Sequence, residues 1–263
     1  YSNEKRRRNE FSFGVEKIIR GDKMQIKYVK EKGKTKLIAH QGFAGVERGN
    51  TLPSFVAAGN RDYLGIECDI HVTKDGNFVV YHDDRTKYLC DRDLVLNDAT
   101  LKEVRELKIK EPGGENFTES LVIPTLSEYL AVCKRYDKIA VVELKQPMIE
   151  KDVVAAVQIC ESELGLDQVI FISFYFENLL FVRKNYPSQR VQFLCNCFDD
   201  RLIEKLKINH FDIDIYYTAL NEVNILKLRD VGLKINCWTC DDVHDAEKLI
   251  ALDVDYITTN ILL

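Results

Sequence analysis

Five side chains in the first 143 residues could do chemistry together: His40, Glu67, Asp69, His82 and Glu143. Glu67 and Asp69 flank Cys68 within the apolar run L-G-I-E-C-D-I. In an extended strand alternate residues point to one side, so both carboxylates can aim at one point. Carboxylates placed so close are costly unless a proton or a cation neutralises them. Glu143, in A-V-V-E-L-K, stands at the end of another apolar run and can supply a third. Three carboxylates make a hard oxygen site suited to a divalent cation, Mg²⁺ or Ca²⁺, between which residue types do not choose. His40 closes K-L-I-A-H and His82 closes V-V-Y-H. Two histidines on either side of such a cation can serve as an acid and a base, and the sequence leaves open which is which.

Neighbouring residues extend the cluster. Asp83 can orient His82 or cap the next turn. Lys145, two residues after Glu143, would point the same way and offers a point charge to an anionic oxygen. Trp238, the only tryptophan, closes I-N-C-W; it is either core packing or a wall for a leaving group. His71, His210 and His244 lack a comparable setting and read as structural.

Elements must hold these groups in place. Short apolar runs occur at 36–39, 64–70, 138–144, 168–173, 190–195, 211–217, 233–239 and 254–258. Helical patterns fall between them at 52–59, 126–136, 150–164, 177–186, 200–207, 221–231 and 241–252. Eight strands alternating with helices, with no Gly-rich loop after the first, predict an α/β chain closed into a (β/α)8 barrel. A doubly wound open sheet is the alternative. It needs fewer strands and explains the polar strand ends less well. After the second run, T-K-D-G-N predicts a hairpin that returns His82 towards Glu67 and Asp69. Residues 84–124 then form an insertion with a short helix near 100–107, N-capped at Thr100. An insertion on the loop side of a barrel is where selectivity is built.

Composition narrows the class further. The 263 residues suffice for one large domain, and a net charge of −5 gives no reason to expect nucleic-acid binding. No apolar run approaches the roughly 20 residues of a membrane span. The eight cysteines mostly lie in apolar or helical runs, which favours buried free thiols over zinc ligation and suits a reducing, cytoplasmic compartment. Residues 1–35 differ from the rest: E-K-R-R-R-N-E at 4–10 and a Lys-rich stretch at 21–35 read as a solvated, partly disordered extension. Nothing in the sequence fixes the oligomeric state.

The ordered set H-x-G, N-T-L-x-x-F, E-x-D-x-x-x-T-K-D-G, V-V-x-H-D, I-P-T-L-x-E-x-L, V-x-E-L-K, S-F, N-x-W-T and D-x-I-T-T-N resembles the glycerophosphodiester phosphodiesterases. The match runs from about Lys36 to Asn260. The resemblance implies a TIM barrel over 36–263 that hydrolyses glycerophosphodiesters, small-molecule substrates, to sn-glycerol 3-phosphate and an alcohol. It implies a divalent cation on Glu67, Asp69 and Glu143, and His40 with His82 as the acid–base pair. It also implies Lys145 near the phosphate and Trp238 in the substrate pocket. Two positions depart from the family pattern: Gln41 stands where the family usually has arginine, and Gly49 where it usually has glutamate. Both lie in one loop, where Arg48 or Glu47 is expected to substitute in part. Two other readings follow from the same residues. One is a phospholipase like sphingomyelinase D acting on lysophospholipids. The other is a phosphodiester-binding barrel with weak or no turnover.

Overall fold

The computed structural model describes residues 25–263, so the basic cluster at 4–10 lies outside the described residues. Eight parallel strands close on themselves: β1 (Lys36–Ala39), β2 (Gly65–Val72), β6 (Ile139–Leu144), β7 (Val169–Ser173), β8 (Val191–Cys195), β9 (Asp212–Tyr216), β10 (Ile235–Trp238) and β11 (Tyr256–Thr259). Closure is direct, since β1 pairs with β11 on one side and β2 on the other. The expected barrel is therefore the observed one.

Pleat alternation sorts the strand residues into two cores. Inward residues Ile38, Val141, Ile170, Ile172, Leu194 and Tyr256 form the barrel's apolar layer. Outward residues, among them Leu37, Ile66, Cys68, Val142 and Phe171, pack with the surrounding helices in a larger cluster. Those helices are α1 (Leu52–Gly59), α3 (Leu126–Arg135), α4 (Glu150–Glu163), α5 (Phe176–Asn185), α6 (Asp200–Asn209), α7 (Glu222–Asp230) and α8 (Val243–Ala251). A buried polar layer completes the interior: Asn236 donates to Gln192 and accepts from Thr258.

The hairpin forms as the turn residues require. β3 (Phe78–Val80) runs antiparallel to the end of β2, with Ile70 opposite Val80, and Tyr81 N donates to Asp69 O. The insertion follows with α2 (Leu101–Arg105), β4 (Ile109–Lys110) and β5 (Phe117–Thr118). It has its own small core of Tyr81, Cys90, Leu96, Val104, Leu107, Ile109 and Ile123. Thr100 caps α2 in a capping box with Glu103, as its position predicts. Arg105 then grips both carboxylate oxygens of Glu128 on α3, at 2.6 and 3.0 Å.

The described part of the N-terminal stretch is tied down. Val29 N donates to Leu263 O and Leu263 N to Lys27 O, both at 2.9 Å, and the Thr35 hydroxyl donates to Val254 O. Residues 27–35 are thus tied to the barrel's C-terminal end through Val29 and Thr35, while most of their neighbours stay exposed. All eight cysteines are free, and seven are buried.

Candidate active site

Barrel register assembles the acids at the C-terminal strand ends. Asp69 on β2 lies directly beside Glu143 on β6, and Glu67 shares the inward face of β2 with Asp69. Oxygens of the three carboxylates lie within 4.8 Å of one another, all three side chains being buried. Their partners differ sharply. Lys145 reaches both Asp69 Oδ1 and Glu143 Oε1 at 3.2 Å. Asp69 Oδ2 accepts from the side-chain amides of Gln41, at 2.9 Å, and Asn50, at 2.7 Å. Glu67 Oε2 accepts from the Gln41 backbone N–H at 2.8 Å, but Glu67 Oε1 is buried with no hydrogen-bond partner among the described residues. An orphaned carboxylate oxygen inside a cluster of acids is the position a divalent cation would fill. The donor set therefore fits a hard cation.

Electrostatics follow from this crowding. Burial, then Asp69 and Glu143, push the Glu67 carboxyl well above the usual range. Burial also drives Glu143 up to about 7, against the pull of Lys145. Burial acts on Asp69 in the same sense, but Lys145, the two histidines and the Asn50 amide overcome it and hold Asp69 ionised. Lys145 is desolvated too, yet Asp69 and Glu143 keep it charged. One cation among the carboxylates thus leaves Glu67 and Glu143 holding protons more readily than free carboxyls do, and a divalent ion would reverse that bias.

The two histidines flank this cluster with opposite outer partners. His40 follows β1, its backbone N–H donating to Thr259 O, and its Nε2 lies 4.0 Å from Glu67 Oε2. Its Nδ1 sits 2.8 Å from Asn260 Oδ1. Burial lowers the His40 pKa despite Asp69 nearby. His82 Nδ1 lies 2.7 Å from Asp83 Oδ1. Partial desolvation and Lys145 oppose the protonation of this half-exposed ring, but Asp69 and Asp83 together raise its pKa. His71, left structural by its sequence setting, braces the region through Gln146 and the His82 carbonyl.

Other expected residues fall into two groups. Trp238 faces the mouth from β10, its indole N–H donating to Asp214 O at 3.2 Å, with Phe174 and Tyr216 each 5.5 Å away ring to ring. One side of the mouth is therefore ionic and the other aromatic. Arg48 lines the pocket beside Gln41 and His82, with its donors turned to the insertion. Its guanidinium donates to the carbonyls of Lys110 and Glu111 in the insertion, at 2.9 and 2.5 Å. It ties the insertion to the loop while still lining the pocket that Gln41 and His82 share.

Asn50, Asn260 and Asp241 were missed as site residues. Asp241 Oδ2 accepts from Asn260 Nδ2 at 2.8 Å, while its Oδ1 accepts from Thr259 Oγ1 and the Asn260 backbone. A usable signal existed for Asn260: closure brings the end of the last strand beside the end of the first, where His40 stands.

Comparison with known proteins agrees with this geometry. The glycerophosphoryl diester phosphodiesterase family profile matches residues 40–262. A glycerophosphodiester phosphodiesterase of Bacillus altitudinis is 31% identical over 235 residues, covering 86% of this chain and 94% of the relative. One from Caldanaerobacter subterraneus is 29% identical over 236 residues, covering 86% and 94%. The crystal structure of a glycerophosphodiester phosphodiesterase from Parabacteroides distasonis shares 26% identity with a TM-score of 0.73, over 88% of this chain and 94% of that one. A phosphodiesterase of Oleispira antarctica, solved with the product sn-glycerol-3-phosphate, superposes with a TM-score of 0.80 at 24% identity, covering 86% and 93%. With the profile running from the end of the first strand through the last and the acid cluster in register, this chain belongs to the glycerophosphoryl diester phosphodiesterase family, enzymes that hydrolyse glycerophosphodiesters.

Proposed function

We propose that the chain releases sn-glycerol 3-phosphate and an alcohol from glycerophosphodiesters, with a divalent cation on Glu67, Asp69 and Glu143 and with His40 and His82 as base and acid. The observation that carries this reading is the buried three-acid cluster, with its orphaned Glu67 oxygen, lying between two oppositely partnered histidines. When bound, the cation would polarise the phosphate and offset charge as phosphorus becomes five-coordinate. The product in the Oleispira structure supports the same product here.

Hydrogen bonding supports a division of labour. Both Asp241 oxygens accept, so Asn260 turns its NH₂ to Asp241 and its carbonyl to His40. His40 must then donate from Nδ1, which leaves Nε2 as a bare lone pair towards the cluster. That is a general base, able to take a proton from water or a neighbouring substrate hydroxyl. His82 donates from Nδ1 to the Asp83 carboxylate, which favours its imidazolium and makes it the acid for the departing alkoxide. Lys145 supplies fixed positive charge beside the phosphate, and Trp238 with Phe174 and Tyr216 walls the alcohol side. No helix among the described residues is long and apolar enough to cross a membrane, and the free thiols favour a reducing, cytoplasmic setting.

The test is release of sn-glycerol 3-phosphate from glycerophosphocholine with Mg²⁺ or Ca²⁺, with EDTA, and with His40→Ala and His82→Ala. Turnover that needs the cation and disappears in both variants supports the reading. An active His82→Ala protein contradicts it. Faster turnover of lysophosphatidylcholine would point to the phospholipase instead. Tight binding of the diester without turnover, even after Gln41→Arg, would point to a binding barrel.

A further inference from the structure

We infer that Gly49 and Gln41 act as one unit: the missing side chain at 49 seats the Gln41 amide, which then positions the metal ligand Asp69. A Cβ built on Gly49 would lie 2.6 Å from Gln41 Oε1 and 3.1 Å from Gln41 Cβ. The first of these is too close for real atoms to share, so any residue but glycine moves the amide. Gln41 itself is held in the left-handed region, at φ 51°, with its carbonyl accepting from Asn50 N–H and the Ser54 hydroxyl. Its backbone is thus fixed, and its side chain runs past Gly49, with Oε1 in the space a Cβ there would need and Nε2 donating to Asp69 Oδ2.

That placement matters because Asp69 is gripped from two sides. Lys145 holds Oδ1, while Gln41 and Asn50 hold Oδ2. A carboxylate fixed by outer partners presents its remaining lone pairs in one direction, and such partners tune metal affinity strongly. The two departures from the family pattern are therefore two halves of one change. A glutamate at 49 would drive its Cβ into the Gln41 amide. The pair removes one positive and one negative charge together, leaving the local sum unchanged. In the family pattern the arginine is a charged phosphate donor; here a neutral amide supports the cation's ligand instead.

The inference rests on the cation reading, and the experiment separates the two. Ca²⁺ and Mg²⁺ affinities are measured by calorimetry on the full chain for wild type, Gly49→Ala, Gln41→Ala and Gln41→Ala/Gly49→Ala. Circular dichroism and thermal midpoint in EDTA establish that each is folded. Gly49→Ala is expected to weaken cation binding about tenfold. Gln41→Ala should weaken it similarly, and the double variant should bind no worse than Gln41→Ala alone. Gln41→Asn, whose shorter amide cannot span to Asp69, should behave as Gln41→Ala. A Gly49→Ala protein that binds as wild type overturns the inference. So do effects of the two substitutions that multiply in the double variant. A wild type that binds neither ion sinks the cation reading itself.

Discussion

Replacing Asn260 with alanine should disable the base without touching the acids or the substrate. The asparagine makes two side-chain hydrogen bonds, from His40 Nδ1 and to Asp241 Oδ2, each 2.8 Å long. Losing a bond of this kind costs about 1–1.5 kcal/mol, close to tenfold in rate if it acts only in positioning. The larger effect is on the tautomer. Without Asn260 the His40 proton is free to move to Nε2, where it blocks the lone pair that must accept. In a serine protease, holding a histidine base in the wrong tautomer costs about 10⁴-fold, which sets an upper bound. Alanine frees the ring rather than inverting it, so kcat should fall roughly 10- to 100-fold with KM nearly unchanged. Steady-state release of sn-glycerol 3-phosphate gives the split, and ¹H–¹⁵N spectra of the histidine side chains report the proton on His40 Nδ1. A variant with wild-type kcat, or one that keeps Nδ1–H yet loses activity, would refute the tautomer argument.

Other outcomes follow from the same contacts. In EDTA the thermal midpoint should fall as pH rises from about 4.5 to about 7, because Glu143 and Glu67 keep protons in the folded state that the unfolded chain has lost. The Glu143 shift alone is worth on the order of 3 kcal/mol; saturating Ca²⁺ should largely abolish the fall, and a midpoint rising through this window in EDTA would contradict the assignment. His40, kept neutral by burial, works against this trend, whereas His82 reinforces it. Lys145→Met removes the cation between Asp69 and Glu143, so it should lower the EDTA midpoint, shrink kcat/KM at least tenfold and make stability more dependent on added ion. Arg48→Ala should free the insertion, seen as faster amide exchange across 84–124, while cation affinity stays within about twofold.

Much of this was legible because strand patterns are local. The acid pair flanking Cys68, the T-K-D-G-N turn and the eight apolar runs each declare themselves within a few residues, and the barrel follows from their alternation. Glu143 was legible for the same reason, since a polar residue ending a buried strand stands out. What stayed hidden was contact across closure. His40 and Asn260 are 220 residues apart and meet only because β11 pairs with β1. Arg48 carries a charge suited to a phosphate, and what its sequence setting hides is the pair of insertion carbonyls, of Lys110 and Glu111, that accept from it. Gly49 reads from sequence alone as a lost acid, whereas the structure puts Gln41 Oε1 in the space a Cβ at 49 would need. In the described end of the N-terminal stretch, a lysine-rich composition conceals two anchors: buried Val29, and Thr35 bonded to Val254.

The central claim is that Glu67, Asp69 and Glu143 hold the cation at which glycerophosphodiesters are cut. A crystal structure with Ca²⁺ and sn-glycerol 3-phosphate tests it most directly. The account predicts an ion about 2.3–2.6 Å from oxygens of all three carboxylates, with a phosphate oxygen on the same ion and the two histidines on either side. An ion bound elsewhere, or a phosphate seated away from these acids in active protein, would contradict it.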